Sequence, residues 1–246
     1  MPTRSNSIIF RPKLLSHCRR QLDIDKIKIP DRVYLLADDI FDEMVSRNVG
    51  EYRYPLGGKL YVFNKNENIG FIKGHMCSPA IATQAEDLIA GGVKELIHVG
   101  YAGGLQPELV PGEIILTDGA FNDTAVARLY GYDYDIIHSS KDLTNEIEEM
   151  ITSAEILYKR GFHWTTDAGY RETWGQVMDY RDKGALCVEM EGVGLFTIAN
   201  YRKCVATGIY VVSDVYSEND WKLGWEGNDI KRAVGAVIDM IIESIR

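Results

Sequence analysis

Glu189 and Glu191 flank Met190 in the stretch CVEMEGVGL, which otherwise reads as a buried strand running into a helix. A charge beside apolar surface is costly unless it has a partner. Residues two apart on an extended chain point to the same side, so both carboxylates can face one ligand. A carboxylate there accepts hydrogen bonds from a diol, and Met190 offers soft apolar contact to the face of a sugar ring. Taken alone, the pair reads equally well as helix N-terminal acids stabilised by the dipole.

Ser213 and Asp214 close the apolar run VATGIYVVSD, at the carboxyl end of a strand, where open α/β sheets place their ligands. An aspartate kept protonated by burial at such a spot acts as a general acid; otherwise it caps the next turn. Gly100, Gly103 and Gly104 follow the strand ELIHV in a glycine-rich turn that lets a ligand approach the backbone or serves only as a turn. A dinucleotide fingerprint requires GxGxxG opening a helix, whereas these glycines lead through Pro107, Pro111 and Gly112 into another strand.

The elements that must hold these groups alternate. Apolar runs at 33–36, 59–63, 69–72, 95–99, 113–117, 185–190 and 205–213 read as strands, several buried on both faces. Helical patterns lie at 79–92, 143–161, 192–202 and near 226–245. Residues 118–135 read as a polar, aromatic surface excursion. The alternation predicts an α/β fold with a mixed or parallel sheet covered by helices.

At 246 residues and 46% hydrophobic content the chain can build one large core, so a single domain is expected over 1–246, with 1–30 as an N-terminal extension. Acidic residues outnumber basic ones 36 to 27, and no basic run interleaved with aromatics is present, which argues against nucleic acid as a partner. The four cysteines lack CxxC spacing, so neither a metal site nor a disulfide framework is indicated. No apolar run approaches about 18 residues and the N-terminus lacks a signal-peptide core, from which a cytoplasmic protein without membrane contact is expected.

Taken together and in this order, HVGYAGGLQPELVPGEIILTDGA, VEMEGVGL and VVSD resemble the nucleoside phosphorylase family, which includes purine nucleoside phosphorylases, uridine phosphorylases and methylthioadenosine/adenosylhomocysteine nucleosidases. The resemblance covers roughly residues 31–245. It implies a central mixed, partly barrel-like sheet flanked by helices. It also implies that Glu191 binds the ribose hydroxyls, Met190 packs on the sugar and Glu189 shapes the pocket. Asp214, oriented by Ser213, would give a hydrogen bond or proton to purine N7 as the sugar becomes an oxocarbenium-like cation. Uridine phosphorylases lack this acid, which favours a purine-type substrate. Tyr170 and Trp174, in TTDAGYRETWGQ, correspond to the family's base-stacking stretch, and His75 to a loop that touches the ribose. No metal or organic cofactor is implied, although phosphate is a possible co-substrate. The small-molecule nucleoside is the expected partner, with a homo-oligomer, dimer or hexamer.

The chain departs from the phosphorylases where they bind phosphate. Asp38, Asp39 and Asp42 follow the first strand, His98 replaces an arginine and Tyr101 a Ser or Thr. Two unit charges 4 Å apart interact by about 4 kcal/mol at an effective dielectric near 20, enough to weaken phosphate binding by roughly three powers of ten. Arg53 resembles an arginine that some hexameric members lend to a neighbouring subunit, and offers partial rescue. Nucleosidases of the family place a water-activating glutamate near Asp42 and Glu43, and GYAGGL is closer to their glycine loop. Either carboxylate is therefore a candidate base, unless the acidic run is simply a solvated helix face. The expectation is base release from a purine-type nucleoside with water preferred over phosphate. Phosphorolysis and an inactive nucleoside-binding protein are the alternatives.

Overall fold

In a computed structural model of the chain, residues 28–217, 220–223 and 227–245 are described. Most of the expected N-terminal extension, including Cys18, lies outside them.

Within that span the chain runs β1 (Arg32–Leu36), α1 (Asp38–Ser46), β2 (Gly50–Tyr54), β3 (Leu60–Phe63), β4 (Asn66–Lys73), α2 (Ser78–Gly91), β5 (Glu95–Gly104) and β6 (Ile114–Asp123). It continues through α3 (Ala125–Leu129), β7 (Ile136–His138), α4 (Lys141–Ser153), β8 (Tyr158–Thr166), a 3-10 turn (Gly169–Arg171) and α5 (Trp174–Asp182). Last come β9 (Cys187–Glu189), α6 (Gly192–Arg202), β10 (Val205–Ser217), β11 (Asp220–Leu223) and α7 (Asn228–Ser244).

All the strands join one sheet, and β5 closes it. Along most of its length β5 lies parallel to β1 and β10, and at Gly103 and Gly104 it takes β9 antiparallel. From β10 the ladder passes to β6, then β8, then β9, which returns it to β5. Five strands therefore form a closed barrel, with β1, β4, β3 and β2 extending as a wing. This is the mixed, partly barrel-like sheet that the family resemblance implies, and closure removes strand edges that would otherwise seek partners.

The helices cover the sheet with apolar stripes at helical spacing. Ile230, Val234, Val237, Ile238 and Ile241 of α7 pack with Leu143, Ile147 and Ile151 of α4 and with Ile40 and Met44 of α1 against Ile97, Val99, Ile209 and Val211. Each buried Ile or Val contributes about 1.5–3 kcal/mol relative to exposure. Helices α2 and α6 cover the opposite face through Ile81, Leu88, Leu195 and Ile198. Among the described residues, no helix is long and apolar enough to cross a membrane.

Three expectations change. The helix predicted over 143–161 stops at Ser153; Glu155 takes a left-handed backbone, φ 54, and the chain re-emerges as β8. The glycine-rich turn is strand: β5 continues through Gly104. The excursion over 118–135 begins as the last residues of β6 and then folds into α3.

Candidate active site

Strand β9 ends at Glu189 and α6 begins at Gly192, so Met190 and Glu191 form the turn between them. Glu189 is buried, and its carboxylate is fully engaged in shaping that turn. Oε2 accepts the backbone N–H groups of Glu191 and Gly192, both at 2.8 Å. Oε1 accepts Thr165 Oγ1 at 2.5 Å and stands 3.0 Å from His163 Nε2, while His163 Nδ1 meets Thr117 Oγ1 at 2.6 Å. Burial alone would raise this carboxyl; His163 and the Thr165 hydroxyl hold it well below the usual range. Gly192 is needed where it stands, because a Cβ there would lie 2.4 Å from His163 Nε2.

Glu191 sits in the opposite electrostatic setting. Its Oε1 accepts the N–H of Cys77, at the start of α2, at 2.6 Å, and Ser78 Oγ donates to the Met190 carbonyl at 3.0 Å. These two bonds tie the β9–α6 turn to the α2 start. Burial, and then the charge of Glu189, push the Glu191 carboxyl up to about 8.

The second motif adjoins the first through β5. Gly103 has Val188 of β9 on one side and Asp214 of β10 on the other. A register shift between Val212 and Asp214 turns the aspartate at this level, where it is 5% exposed. Ser213 Oγ donates to Asp214 Oδ1 at 2.5 Å, which fixes the carboxyl orientation. A Cβ on Gly103 would stand 2.7 Å from the Tyr216 ring and 3.3 Å from Asp214 Oδ2, so only glycine lets Tyr216 and Asp214 pack this closely over the strand. Tyr216 donates its hydroxyl to Glu172 Oε2 at 2.5 Å, and burial, then the nearby Asp214 charge, act to raise the Glu172 carboxyl. Met190 Sδ lies 3.6 Å from the Cβ position of Gly169 on the same side. The result is a glutamate turn after β9 and a Ser–Asp pair near the end of β10, joined through the backbone of Gly103 with the Tyr216 ring packed against it.

The residues expected from the resemblance to face the acceptor lie on β5 and at the start of α1, which follows β1. Tyr101 donates its hydroxyl to Asp39 Oδ2 at 2.6 Å, and Asp38 pairs with Lys73 at 2.7 Å. His98 is buried inside the barrel with its ring 5.6 Å from that of Tyr210, and burial lowers it to about 4.

Other candidates fall elsewhere. Glu43 forms an exposed pair with Arg47 at 2.9 Å, and Asp42 is exposed on the same helix, so neither has the sheltered setting that tunes a general base. Arg53 is exposed on β2, 3.7 Å from Glu51. Tyr170 is fully exposed on the 3-10 turn, and the ring of Trp174 carries the Arg181 guanidinium at 5.3 Å and packs on the apolar cluster around Val188. The His75 side chain is exposed, and the His75 backbone N–H donates to Gln84 Oε1 at 2.8 Å.

Sequence reasoning missed His163, Thr165, Cys77, Tyr216 and Glu172. The first two lie on β8, whose first residues fall within the helix predicted over 143–161 and whose remainder falls in no predicted strand. Glu172 stood in a quoted stretch where aromatic residues drew the attention.

The sequence pattern of the phosphorylase superfamily matches residues 28–243. Over 188 residues the chain is 29% identical to the DeoD-type purine nucleoside phosphorylase of Exiguobacterium sibiricum, covering 75% of this chain and 78% of that protein. It is 31% identical over 138 residues to the protein of the same name from Bacillus cytotoxicus, 55% of this chain and 59% of the other. Among solved structures, purine nucleoside phosphorylase from Toxoplasma gondii in complex with immucillin-H superposes with a TM-score of 0.75 at 17% identity, covering 88% of this chain and 90% of that one. That likeness carries the fold. The preference for water drawn from the acidic helix start finds no support: the proposed bases sit on an exposed face, and these relatives are phosphorylases.

Proposed function

The chain belongs to the phosphorylase superfamily, and we propose that it transfers the pentosyl group of a purine nucleoside to phosphate. In this reading Glu191 receives the sugar hydroxyls and Met190 lies against the ring. Asp214, held by Ser213, donates a hydrogen bond or proton to purine N7. The C1′–N9 bond breaks with its electron pair leaving on the base, and positive charge develops on the sugar. A phosphate oxygen then forms the new bond to C1′, giving free purine and pentose 1-phosphate. No metal or organic cofactor enters this scheme.

The observation that carries the reading is the Ser213–Asp214 pair set across Gly103 from the Glu189–Met190–Glu191 turn. Phosphate is favoured as acceptor by the DeoD-type relatives, which align over 75% of the chain. Hydrolysis is the second reading, because Asp39 and Tyr101 occupy the acceptor side and an anion there meets a carboxylate.

Liquid chromatography of adenosine, inosine, guanosine, their deoxy forms, methylthioadenosine and uridine, with phosphate scavenged or added, tests the proposal. Purine release that requires phosphate and yields pentose 1-phosphate is expected. Free pentose formed at the same rate without phosphate would establish hydrolysis, and no release under either condition would leave a binding protein.

A further inference from the structure

His98 lies inside the barrel, 4% exposed, and its Nδ1 has no hydrogen-bond partner among the described residues. A buried polar group is normally paired, and one left open marks a place where a ligand completes the bonding. One ring nitrogen of His98, one carboxylate oxygen of Glu189 and one of Glu191 all lie within 4.8 Å of each other.

A histidine and two glutamates at this spacing are a natural set for a divalent cation. The bonding of Glu189 argues against one. Its oxygens already take the Thr165 hydroxyl, the His163 ring and two backbone N–H groups, which fills the roughly four acceptor positions of a carboxylate. Glu191 is less committed: its Oε1 accepts the Cys77 N–H, and the Met190 backbone is its other donor. Burial keeps His98 uncharged at neutral pH, so it offers a neutral donor or acceptor rather than a counter-ion.

The separation of at most 4.8 Å between the His98 nitrogen and the Glu191 oxygen is within the reach of one bridging hydroxyl group. Two hydrogen bonds of about 2.8 Å meeting at a tetrahedral oxygen span roughly 4.6 Å. We propose that His98 and Glu191 together hold one hydroxyl of the sugar's cis-diol, and that this bridge makes the protein select ribonucleosides over nucleosides lacking that hydroxyl. The inference rests on Glu191 as the sugar ligand. A site built around a substrate hydroxyl rejects the analogue without it, because both buried partners are then left unpaired.

The test measures kcat/KM for adenosine and inosine and for their 2′-deoxy and 3′-deoxy forms, with the parent protein, His98→Ala and His98→Gln, each checked for an unchanged far-ultraviolet spectrum. The parent should favour the ribonucleoside over one of its two deoxy forms by about 100-fold or more. His98→Ala should bring that ratio to within about threefold by losing rate on the ribonucleoside, and His98→Gln, which keeps a donor, should restore part of it. A parent indifferent to both deletions, or a His98→Ala variant that lowers all the substrates by one common factor, overturns the proposal. Absence of base release from every nucleoside by the parent would count against the catalytic reading instead. Calorimetric affinities for the same nucleosides then decide the role of His98 by the same ratios.

Discussion

Burial raises the Glu191 carboxyl, and the charge of Glu189 raises it further, to about 8, whereas Glu189 is held down by His163 and Thr165. A carboxyl whose folded pKa lies above its unfolded value, about 4.3, keeps a proton that the unfolded chain has released. Its contribution to stability therefore falls as pH rises from about 4.5 towards 8, and levels off above. Glu191→Gln removes that slope. By scanning calorimetry, the melting temperature of the variant minus that of the parent should grow by roughly 8–15 °C between pH 5 and 8.5; a difference constant over that range would show an ordinary carboxyl. Both acidic motifs were legible because each is contiguous and ends a strand. The opposite settings of the two glutamates were not, since they depend on Thr165 and on Cys77, 24 residues from Glu189 and 114 from Glu191.

Strand β5 carries the site as an element. Its C-terminal glycines, read from sequence as a turn, are the rungs on which β9 and β10 bring the sugar and base motifs to one level. Glycine content masked the strand, because the residues lack the branched side chains that signal one. Strand β8 was masked differently: the apolar spacing of α4 runs on past Ser153, and the chain is broken only by the backbone of Glu155. Helix α1 presents Asp39 to Tyr101, and in the proposed reaction that carboxylate would oppose the incoming phosphate. Asp39→Asn should lower the KM for phosphate about tenfold or more while changing the KM for nucleoside by less than about threefold. Initial rates against phosphate at saturating nucleoside measure this. An unchanged phosphate KM would show that the acceptor binds elsewhere.

At the scale of the whole molecule, the alternation of strands and helices was enough to anticipate a mixed sheet under helices. Closure was not legible, because it depends on β5 meeting both β9 and β10 across long separations; Ser213 and Ala102, in contact at 3.3 Å, are 111 residues apart. That closure explains why residues scattered over the chain meet: Asp214 and Val188 pair with Gly103 from either side, and His98 comes within 4.8 Å of Glu189 and Glu191. The central claim is that Asp214 assists departure of the purine through N7. The most direct test is the kcat/KM of Asp214→Asn for guanosine and for 7-methylguanosine, whose base already carries the charge that protonation would supply. The variant should lose at least about 100-fold on guanosine and less than about fivefold on 7-methylguanosine. Equal losses on the two substrates, or no loss on guanosine, would contradict the account.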